Sequence, residues 1–301
     1  MDGPAVETRE LTKHFGAVRA LEDVDLSVQP GEVFGFLGPN GAGKTTAIRL
    51  MLDFLRPTRG SVSVLGGHGG DPAVRARMGY LPADVHLDAR YRADELFAFL
   101  GALRGTPAPS LLPTLLERFG LDPTRPIGEL STGNKRKVGI VQAFMHRPEL
   151  VVLDEPTSGL DPILQYEFLE LVREQVAEGA TVFLSSHYLP EVERVADRVG
   201  ILRQGRLVAL SSIAELRARA RQRIDLFVSG PADLAAFEGA AGVVEAHAPS
   251  GPGGGLVRLV VEGPVDAALK AAAGSLTVER IVTHEADLEE VFLDYYRQDD
   301  R

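Results

Sequence analysis

The stretch GPNGAGKTT, residues 38–46, decides the fold of this chain. Glycines stand at its first and sixth positions and are followed by Lys44 and Thr45, which is the spacing of a phosphate-binding loop. The apolar run at residues 33–37 predicts a buried strand before the loop, and the pattern after it predicts an amphipathic helix. Because glycines let the backbone curl, its N–H groups and the helix N-terminus can point at phosphate oxygens. The sequence therefore predicts a nucleotide-phosphate site here.

Each polar residue of this loop has an expected contact. We expect Lys44 to reach the β- and γ-phosphates of a nucleotide and the Thr45 hydroxyl to bind Mg²⁺. Thr46 can donate a further hydrogen bond to phosphate. The other loop residues expected to bind the nucleotide are Gly38, Asn40, Gly41 and Gly43.

Two adjacent carboxylates, Asp154 and Glu155, follow a second buried strand predicted at residues 151–153. A phosphate site of this kind needs an acid at the end of a neighbouring strand to hold magnesium, and Asp154 fits that role, usually through a bound water. Glu155 fits as the general base that polarises the attacking water. The two halves of the motif together predict hydrolysis of a nucleotide that is bound with Mg²⁺.

The composition is that of a globular protein with enough chain for two domains: 301 residues, 45% of them hydrophobic and 25% charged. Lysine and arginine number 32 against 42 aspartates and glutamates, which gives a net charge of −10. The chain has no basic surplus, so we expect no nucleic-acid partner. It contains no cysteine, which excludes disulfides and thiolate chemistry.

The hydrophobic pattern predicts that the chain itself does not cross a membrane. A spanning helix needs about 20 mostly apolar residues, and no apolar run approaches that length. The N-terminus does not read as a basic region followed by an apolar one, so no signal peptide is expected. A cytoplasmic location fits these patterns.

The first two thirds of the chain alternate short apolar runs with helical patterns, which predicts an α/β domain over residues 1–212. Residues 93–145 have a mainly helical pattern and are interpreted as a helical insertion into this domain. Residues 213–223, rich in arginine, are predicted to form a linking helix. The remainder, residues 224–301, is predicted to be a small α+β domain.

The pattern of the small domain is βαββαβ plus one helix, which matches the split-βαβ, ferredoxin-like arrangement. A glycine- and proline-rich turn is expected at residues 249–255. The predicted strands are 224–228, 243–247, 256–262 and 276–283, and the predicted helices are 232–237, 265–273 and 286–297.

Three further motifs resemble those of the ATP-binding cassette (ABC) ATPases and occur in the order of that family. LSTGN at residues 130–134 is similar to the family's signature loop, commonly Leu-Ser-Gly-Gly-Gln, although Thr132 and Asn134 depart from it. SGLD at residues 158–161 is similar to the D-loop, and SSH at residues 185–187 to the strand end that carries the switch histidine. The resemblance covers about residues 5–210 and implies an ABC-type P-loop fold with ATP and Mg²⁺ as cofactors.

The resemblance also implies roles for single residues. Phe15 stands where the family places an aromatic ring that stacks on adenine, and His187 would act in catalysis beside Glu155 and Lys44. In this family the signature loop completes the site of the opposite subunit, so two cassettes hold two ATP molecules head to tail. A homodimer, or a pair with a similar cassette, is therefore expected. The residues implied to contact nucleotide from these motifs are Ser131, Gly133 and Asp161.

One position departs from the family pattern. MGYLP at residues 78–82 resembles the strand that leads to the Q-loop, where the family usually has a glutamine that touches Mg²⁺ and senses the membrane partner. This chain has Ala83 there, followed by Asp84. Either Asp84 substitutes as a magnesium ligand, or coupling in this protein uses other contacts.

The C-terminal stretch at residues 286–296 resembles that of cassettes serving drug and antibiotic exporters with separate permease chains. The expected function is therefore the ATP-hydrolysing subunit of an exporter of drug-like, antibiotic or lipid-like compounds, held at the inner face of the cell membrane through a transmembrane permease. The alternatives are an importer cassette with a regulatory C-terminal domain and a soluble ABC ATPase without a transport role.

Overall fold

The computed structural model describes residues 3–106, 108–219, 221–230, 234–237, 239–248 and 255–284, together with Leu288 and Phe292. The chain divides into two compact units, Met1–Leu210 and Ser211–Arg301. Among the residues described, no helix is both long and apolar enough to span a membrane.

The first unit is built from alternating strands and helices. Its strands are β1 (Val6–Phe15), β2 (Val18–Val28), β3 (Val33–Leu37), β4 (Arg59–Val64), β5 (Met78–Leu81), β6 (Leu150–Asp154), β7 (Thr181–Ser186), β8 (Arg198–Arg203) and β9 (Arg206–Ser212). Its helices are α1 (Lys44–Met51), α2 (Pro72–Ala76), α3 (Ala93–Leu103), α4 (Leu112–Arg118), α5 (Thr132–Phe144), α6 (Pro162–Ala177) and α7 (Leu189–Val195), with a 3-10 turn at Ile127–Glu129.

The central sheet of this unit has six strands in the order β5-β6-β7-β3-β8-β9. The pairs from β5 to β8 are parallel. Strands β3, β6 and β7 are buried at every position, as expected for parallel strands covered by helices on both faces. A second, antiparallel sheet has the order β2-β1-β4. The α/β prediction for this part of the chain is confirmed.

The register of the central sheet positions the site. Leu37 at the end of β3 lies beside Ser186 at the end of β7, and Asp154 at the end of β6 lies beside Ser185. The phosphate loop, the carboxylate pair and the histidine that follows β7 therefore leave the same edge of the sheet.

Residues 93–145, predicted to be a helical insertion, contain α3, α4, the 3-10 turn and α5. Helix α5 lies close against β5, because a Cβ atom on Gly79 would come within 2.0 Å of the Ala143 carbonyl oxygen. Only glycine at that position permits this approach of strand to helix.

The second unit contains a four-stranded antiparallel sheet in the order β11-β12-β10-β13. This is the strand order of the predicted ferredoxin-like arrangement, and it is confirmed. Its core includes Ile224, Leu226, Val257, Leu259 and Val261 from the strands, with Ala268 and Ala272 from the helix Asp266–Ser275. The elements are α8 (Ile213–Arg219), β10 (Arg221–Ser229), a 3-10 turn at Leu234–Phe237, β11 (Val243–His247), β12 (Gly255–Glu262), α9 (Asp266–Ser275) and β13 (Thr277–His284).

The predicted linking helix at residues 213–223 is too long. Helix α8 ends at Arg219, and β10 begins at Arg221, three residues earlier than expected. Arg221 and Arg223 belong to the strand because they pair with Glu262 and Val260 of β12, and this tertiary pairing overrides the helical composition.

Two other predicted elements lie largely outside the described residues. The turn at 249–255 is described only at its last residue, which begins β12. The final helix at 286–297 is described only at Leu288 and Phe292, which are helical and buried. The predicted helix at 232–237 is seen as the 3-10 turn at Leu234–Phe237.

A buried carboxylic acid, Glu191, lies in the first turn of α7 and is 4% exposed. Its Oε2 atom accepts a hydrogen bond of 2.9 Å from the Ser186 hydroxyl. Burial raises the pKa of Glu191 to about 7, against the opposing effect of hydrogen bonds from Ser186 and Thr157. The nearby charge of Glu155 raises this pKa further, and that of His187 lowers it.

We expect Glu191→Gln to change how the free energy of unfolding depends on pH. The pKa of Glu191 is about 7 in the folded chain against an ordinary value of 4.5, so between these values the folded state binds one proton more than the unfolded state. Stability conferred by wild-type Glu191 therefore falls as the pH rises through this window. Relative to the glutamine variant, the wild type should lose up to about 3 kcal/mol, measured by urea unfolding across the window.

Glu117→Gln is the matched control, because Glu117 is an exposed glutamate on α4. Its unfolding free energy should follow the pH dependence of the wild type. Parallel pH curves for wild type and Glu191→Gln would show that the buried acid does not hold its proton.

Candidate active site

The phosphate loop runs from the end of β3 to the start of α1 at Lys44. Gly43 precedes the helix in a left-handed conformation with φ of 111°. A Cβ atom on Gly43 would lie 2.4 Å from the Ala20 carbonyl oxygen, and one on Gly38 would lie 2.4 Å from that of Leu202. Glycine is therefore required at both positions, because the loop passes against the backbone of its neighbours.

Lys44 is 6% exposed, and its ammonium group reaches back over the loop. The Nζ atom donates to the carbonyl oxygen of Gly38 at 2.6 Å and to that of Pro39 at 3.4 Å. It also lies 3.2 Å from Oε1 of Glu155. A buried cation thus stands at the mouth of an anion-binding loop, where it can contact a phosphate.

Asp154 is the last residue of β6 and is 1% exposed. Its Oδ1 atom accepts a hydrogen bond of 2.5 Å from the Ser185 hydroxyl, whereas Oδ2 is buried without a hydrogen-bond partner. A buried carboxylate oxygen is costly unless it is paired, so the free Oδ2 atom fits a metal ion or a metal-bound water.

The described residues include no group of three or more acidic or histidine side chains able to enclose a metal. Proteins usually hold magnesium through one or two carboxylates together with substrate phosphates and water. Asp154 and Thr45, the second residue of α1, are available for that mode of binding.

The Glu155 carboxylate contacts a lysine ammonium group and a histidine ring. Its Oε1 atom is 3.2 Å from Nζ of Lys44, and its Oε2 atom is 2.6 Å from Nδ1 of His187. The backbone of Glu155 has a positive φ of 47°. This conformation is unfavourable for a non-glycine residue and is found where a functional side chain must be aimed. Three predicted catalytic residues, Lys44, Glu155 and His187, thus lie in direct contact.

Ser131 of the signature motif and Asp161 of the D-loop motif both cap helices. Ser131 caps α5 and accepts a hydrogen bond from the Asn134 N–H at 3.3 Å. Within the described part of the chain, neither Ser131 nor Gly133 hydrogen-bonds to the phosphate loop. Asp161 caps α6 and accepts from the N–H groups of Ile163 and Leu164.

Three of the other predicted nucleotide contacts belong to the loop or to the helix that follows it. Asn40 and Gly41 are exposed, and Thr46 is half-buried in α1. Phe15, at the end of β1, is 47% exposed, and the Lys13 ammonium lies 5.1 Å from its ring centre. An exposed aromatic ring with a cation against it leaves area for stacking by a flat base.

At the position of the Q-loop glutamine, the structure places a half-buried Ala83 and an exposed Asp84. The Asp84 carbonyl oxygen lies 3.2 Å from Nδ1 of His86. Its carboxylate is near enough to Arg136 to raise the pKa of that guanidinium.

Two polar residues of the site were missed in the sequence. Arg136 is 4% exposed and Glu191 is 4% exposed, yet both types are ordinarily solvated. Glu191 stands four residues before the buried Val195, which places it on the buried face of its helix. Spacing does not single out Arg136, because Lys135, Arg136 and Lys137 each precede a buried residue by four.

Comparison with known proteins agrees with the motifs. The family model described as "ABC transporter" matches residues 21–158. The bacitracin transport ATP-binding protein BcrA of Bacillus licheniformis is 34% identical over 229 residues, which is 74% of this chain and 75% of that protein. The Nod factor export ATP-binding protein I of Paraburkholderia xenovorans is 33% identical over 301 residues, which is 97% of each chain.

A solved structure described as an ATP-binding subunit of an ABC transporter has the same fold. It aligns with a TM-score of 0.67 and 34% identity, covering 71% of this chain and 92% of that one. The chain therefore belongs to the ABC transporter family, as one of its ATP-hydrolysing cassettes.

Proposed function

We propose that this cassette drives export of a drug-like, antibiotic or lipid-like compound through a separate transmembrane permease. Two relatives support this: one named for bacitracin transport, and one named for Nod factor export that matches nearly the whole chain. The observation that carries the chemistry is the Glu155 carboxylate, held 3.2 Å from Lys44 and 2.6 Å from His187.

Hydrolysis would use these residues in distinct roles. Lys44 binds the β- and γ-phosphates, and Glu155 accepts the proton of the attacking water at a carboxylate oxygen. His187, through Nδ1, holds the Oε2 atom of Glu155 in position. Thr45 and Asp154 would hold Mg²⁺, which when bound neutralises charge on the phosphates.

The remaining contacts would orient ATP. The N–H groups of the glycine-rich loop cradle the phosphates, and Phe15 stacks on adenine. Ser131, Gly133 and Asp161 would act on the nucleotide of a partner cassette, in a head-to-tail homodimer or a pair with a similar chain. Ser131 and Asp161 are both exposed at helix N-termini, which supports this assignment because the nucleotide of a partner can reach them.

An apolar patch on the helical segment is the surface we assign to the permease. Tyr91, Phe99 and Leu103 are 51%, 64% and 72% exposed. Tyr91 and Phe99 line a cavity of about 200 Å³ together with Leu96 and Ile127. Exposed apolar patches of this kind mark protein interaction sites. The permease would hold the cassette at the inner face of the cell membrane.

Glu155→Gln is expected to abolish most ATP hydrolysis while ATP affinity is kept. The amide preserves shape and hydrogen bonding but accepts no proton, so the rate should fall about 100-fold or more. ATPase assays and ATP titration measure the two effects, and an ATP-bound dimer should accumulate on size-exclusion chromatography. Near wild-type hydrolysis would refute the assignment.

Lys44→Ala and Ser131→Arg chains are each expected to be inactive alone and to regain activity when mixed. In the mixed dimer one site is damaged twice, and the other pairs an intact phosphate loop with an intact signature loop. ATPase activity of the mixture after proven subunit exchange is the measurement. Failure of the two chains to complement would contradict the head-to-tail arrangement.

Phe99→Asp is expected to remove stimulation of the ATPase by the co-expressed permease, because a carboxylate in the apolar patch opposes burial. Basal ATPase activity should stay within about twofold of wild type, since Phe99 lies on α3 and not on the loops that carry the site. Val244→Asp, at an exposed apolar position of β11, serves as the control. Unchanged stimulation in Phe99→Asp would exclude this patch as the docking surface.

A further inference from the structure

The guanidinium group of Arg136 is fully hydrogen-bonded inside the first unit, although α5 carries this residue within a basic run. Arg136 is 4% exposed. A guanidinium has five N–H donors in a fixed plane, and all five point at backbone carbonyl oxygens. Nε donates to Pro156 at 3.0 Å, Nη1 donates to Pro82 at 2.6 Å and to Ala83 at 2.7 Å, and Nη2 donates to Asp154 at 3.2 Å and to Glu155.

The charge of Arg136 is balanced without a direct carboxylate contact. Burial lowers the pKa of its guanidinium, and the negative charges of Asp154, Glu191, Asp84 and Glu155 oppose that effect. A buried cation is costly to remove from water, so it persists where dipoles and nearby charges compensate. For Arg136 the compensation comes from carbonyl oxygens and carboxylates at the edge of the central sheet that carries the site.

These contacts fix the turn that carries the proposed general base. The carbonyl oxygens of Asp154, Glu155 and Pro156 are consecutive along the chain, and all three converge on one guanidinium. Glu155, in the middle, has the positive φ of 47°. Three hydrogen bonds to one rigid, planar group offset the strain of this conformation and set the direction in which the Glu155 side chain leaves the backbone.

The same guanidinium reaches the position where the family glutamine is replaced. Ala83 has no side-chain donor or acceptor, but its carbonyl oxygen accepts from Nη1 of Arg136. Arg136 in turn belongs to α5, whose N-cap is Ser131. One side chain therefore connects the signature helix, the Ala83 backbone and the turn at Glu155.

We propose that Arg136 is a positioning residue for ATP hydrolysis, which aims Glu155 and links it to Ala83 and to helix α5. In this chain the coupling that a Q-loop glutamine would provide is made through the Ala83 backbone. The proposal rests on the function proposed above for Glu155.

The test measures kcat, the KM for ATP and the ATP dissociation constant of Arg136→Lys, with rates expressed per nucleotide-binding chain. Lysine keeps the charge but has no planar fork, so it cannot satisfy carbonyl groups in both loops. We expect kcat to fall about 10- to 100-fold, as for a misaimed catalytic group, with ATP affinity within about threefold because the phosphate loop is untouched. Arg136→Gln, which is neutral, is the second variant if the lysine variant does not fold.

The matched control is Lys135→Gln, which removes a positive charge from the same run at a half-buried position instead of a buried one. Its kcat should stay within about twofold of wild type. When Glu155 is already replaced by glutamine, adding Arg136→Lys should lower the residual ATPase rate by less than about twofold. The orientation of this side chain affects the rate only when it can act as the general base.

The outcomes separate this proposal from the one on which it rests. Wild-type kcat in folded Arg136→Lys or Arg136→Gln overturns the positioning role. A loss in which affinity, kcat and melting temperature fall together overturns it as well, because that pattern indicates a merely structural arginine. Wild-type hydrolysis in Glu155→Gln alone defeats the proposed function instead.

Discussion

The parallel pairing of β6, β7 and β3 is the constraint on which the site depends. All three strands are buried along their whole length, so their register is fixed by packing on both faces. That register sets Leu37 beside Ser186 and Asp154 beside Ser185. A slip of one residue would turn the Asp154 side chain to the other face of the sheet and separate it from the Ser185 hydroxyl. The packing that orders these three strands therefore also places the proposed catalytic residues.

Much of this arrangement could be predicted from the sequence, because it is locally encoded. The phosphate loop and the carboxylate pair each stand at the end of an apolar run, and such runs mark buried strands. Arg136 could not be identified in this way, since Lys135, Arg136 and Lys137 have the composition of a solvated face. Only tertiary packing distinguishes the middle member. The start of β10 at Arg221 was missed for the same reason, because a strand partner far along the chain decides it.

At the edge of the central sheet that carries the site, acidic side chains outnumber basic ones. Lys44 and Arg136 are the buried cations, whereas Asp154, Glu155 and Glu191 are carboxylic acids at the same edge. A raised pKa leaves Glu191 about half protonated near pH 7 and mostly protonated at lower pH, which lessens the excess of negative charge. The proposed divalent cation would offset the rest while the phosphates of the nucleotide add their own. This balance explains how one small region can accommodate both acids and an anionic substrate.

The glycines of the phosphate loop have a consequence for the thermodynamics of binding. Gly38 and Gly43 pass so near the carbonyl oxygens of Leu202 and Ala20 that the loop has little room to adopt another path. Its conformational entropy is therefore lost when the protein folds, and little remains to be lost when a ligand arrives. A loop ordered in advance gives tighter association for the same set of contacts. Any motion of the cassette during its cycle is then expected in elements other than the phosphate loop.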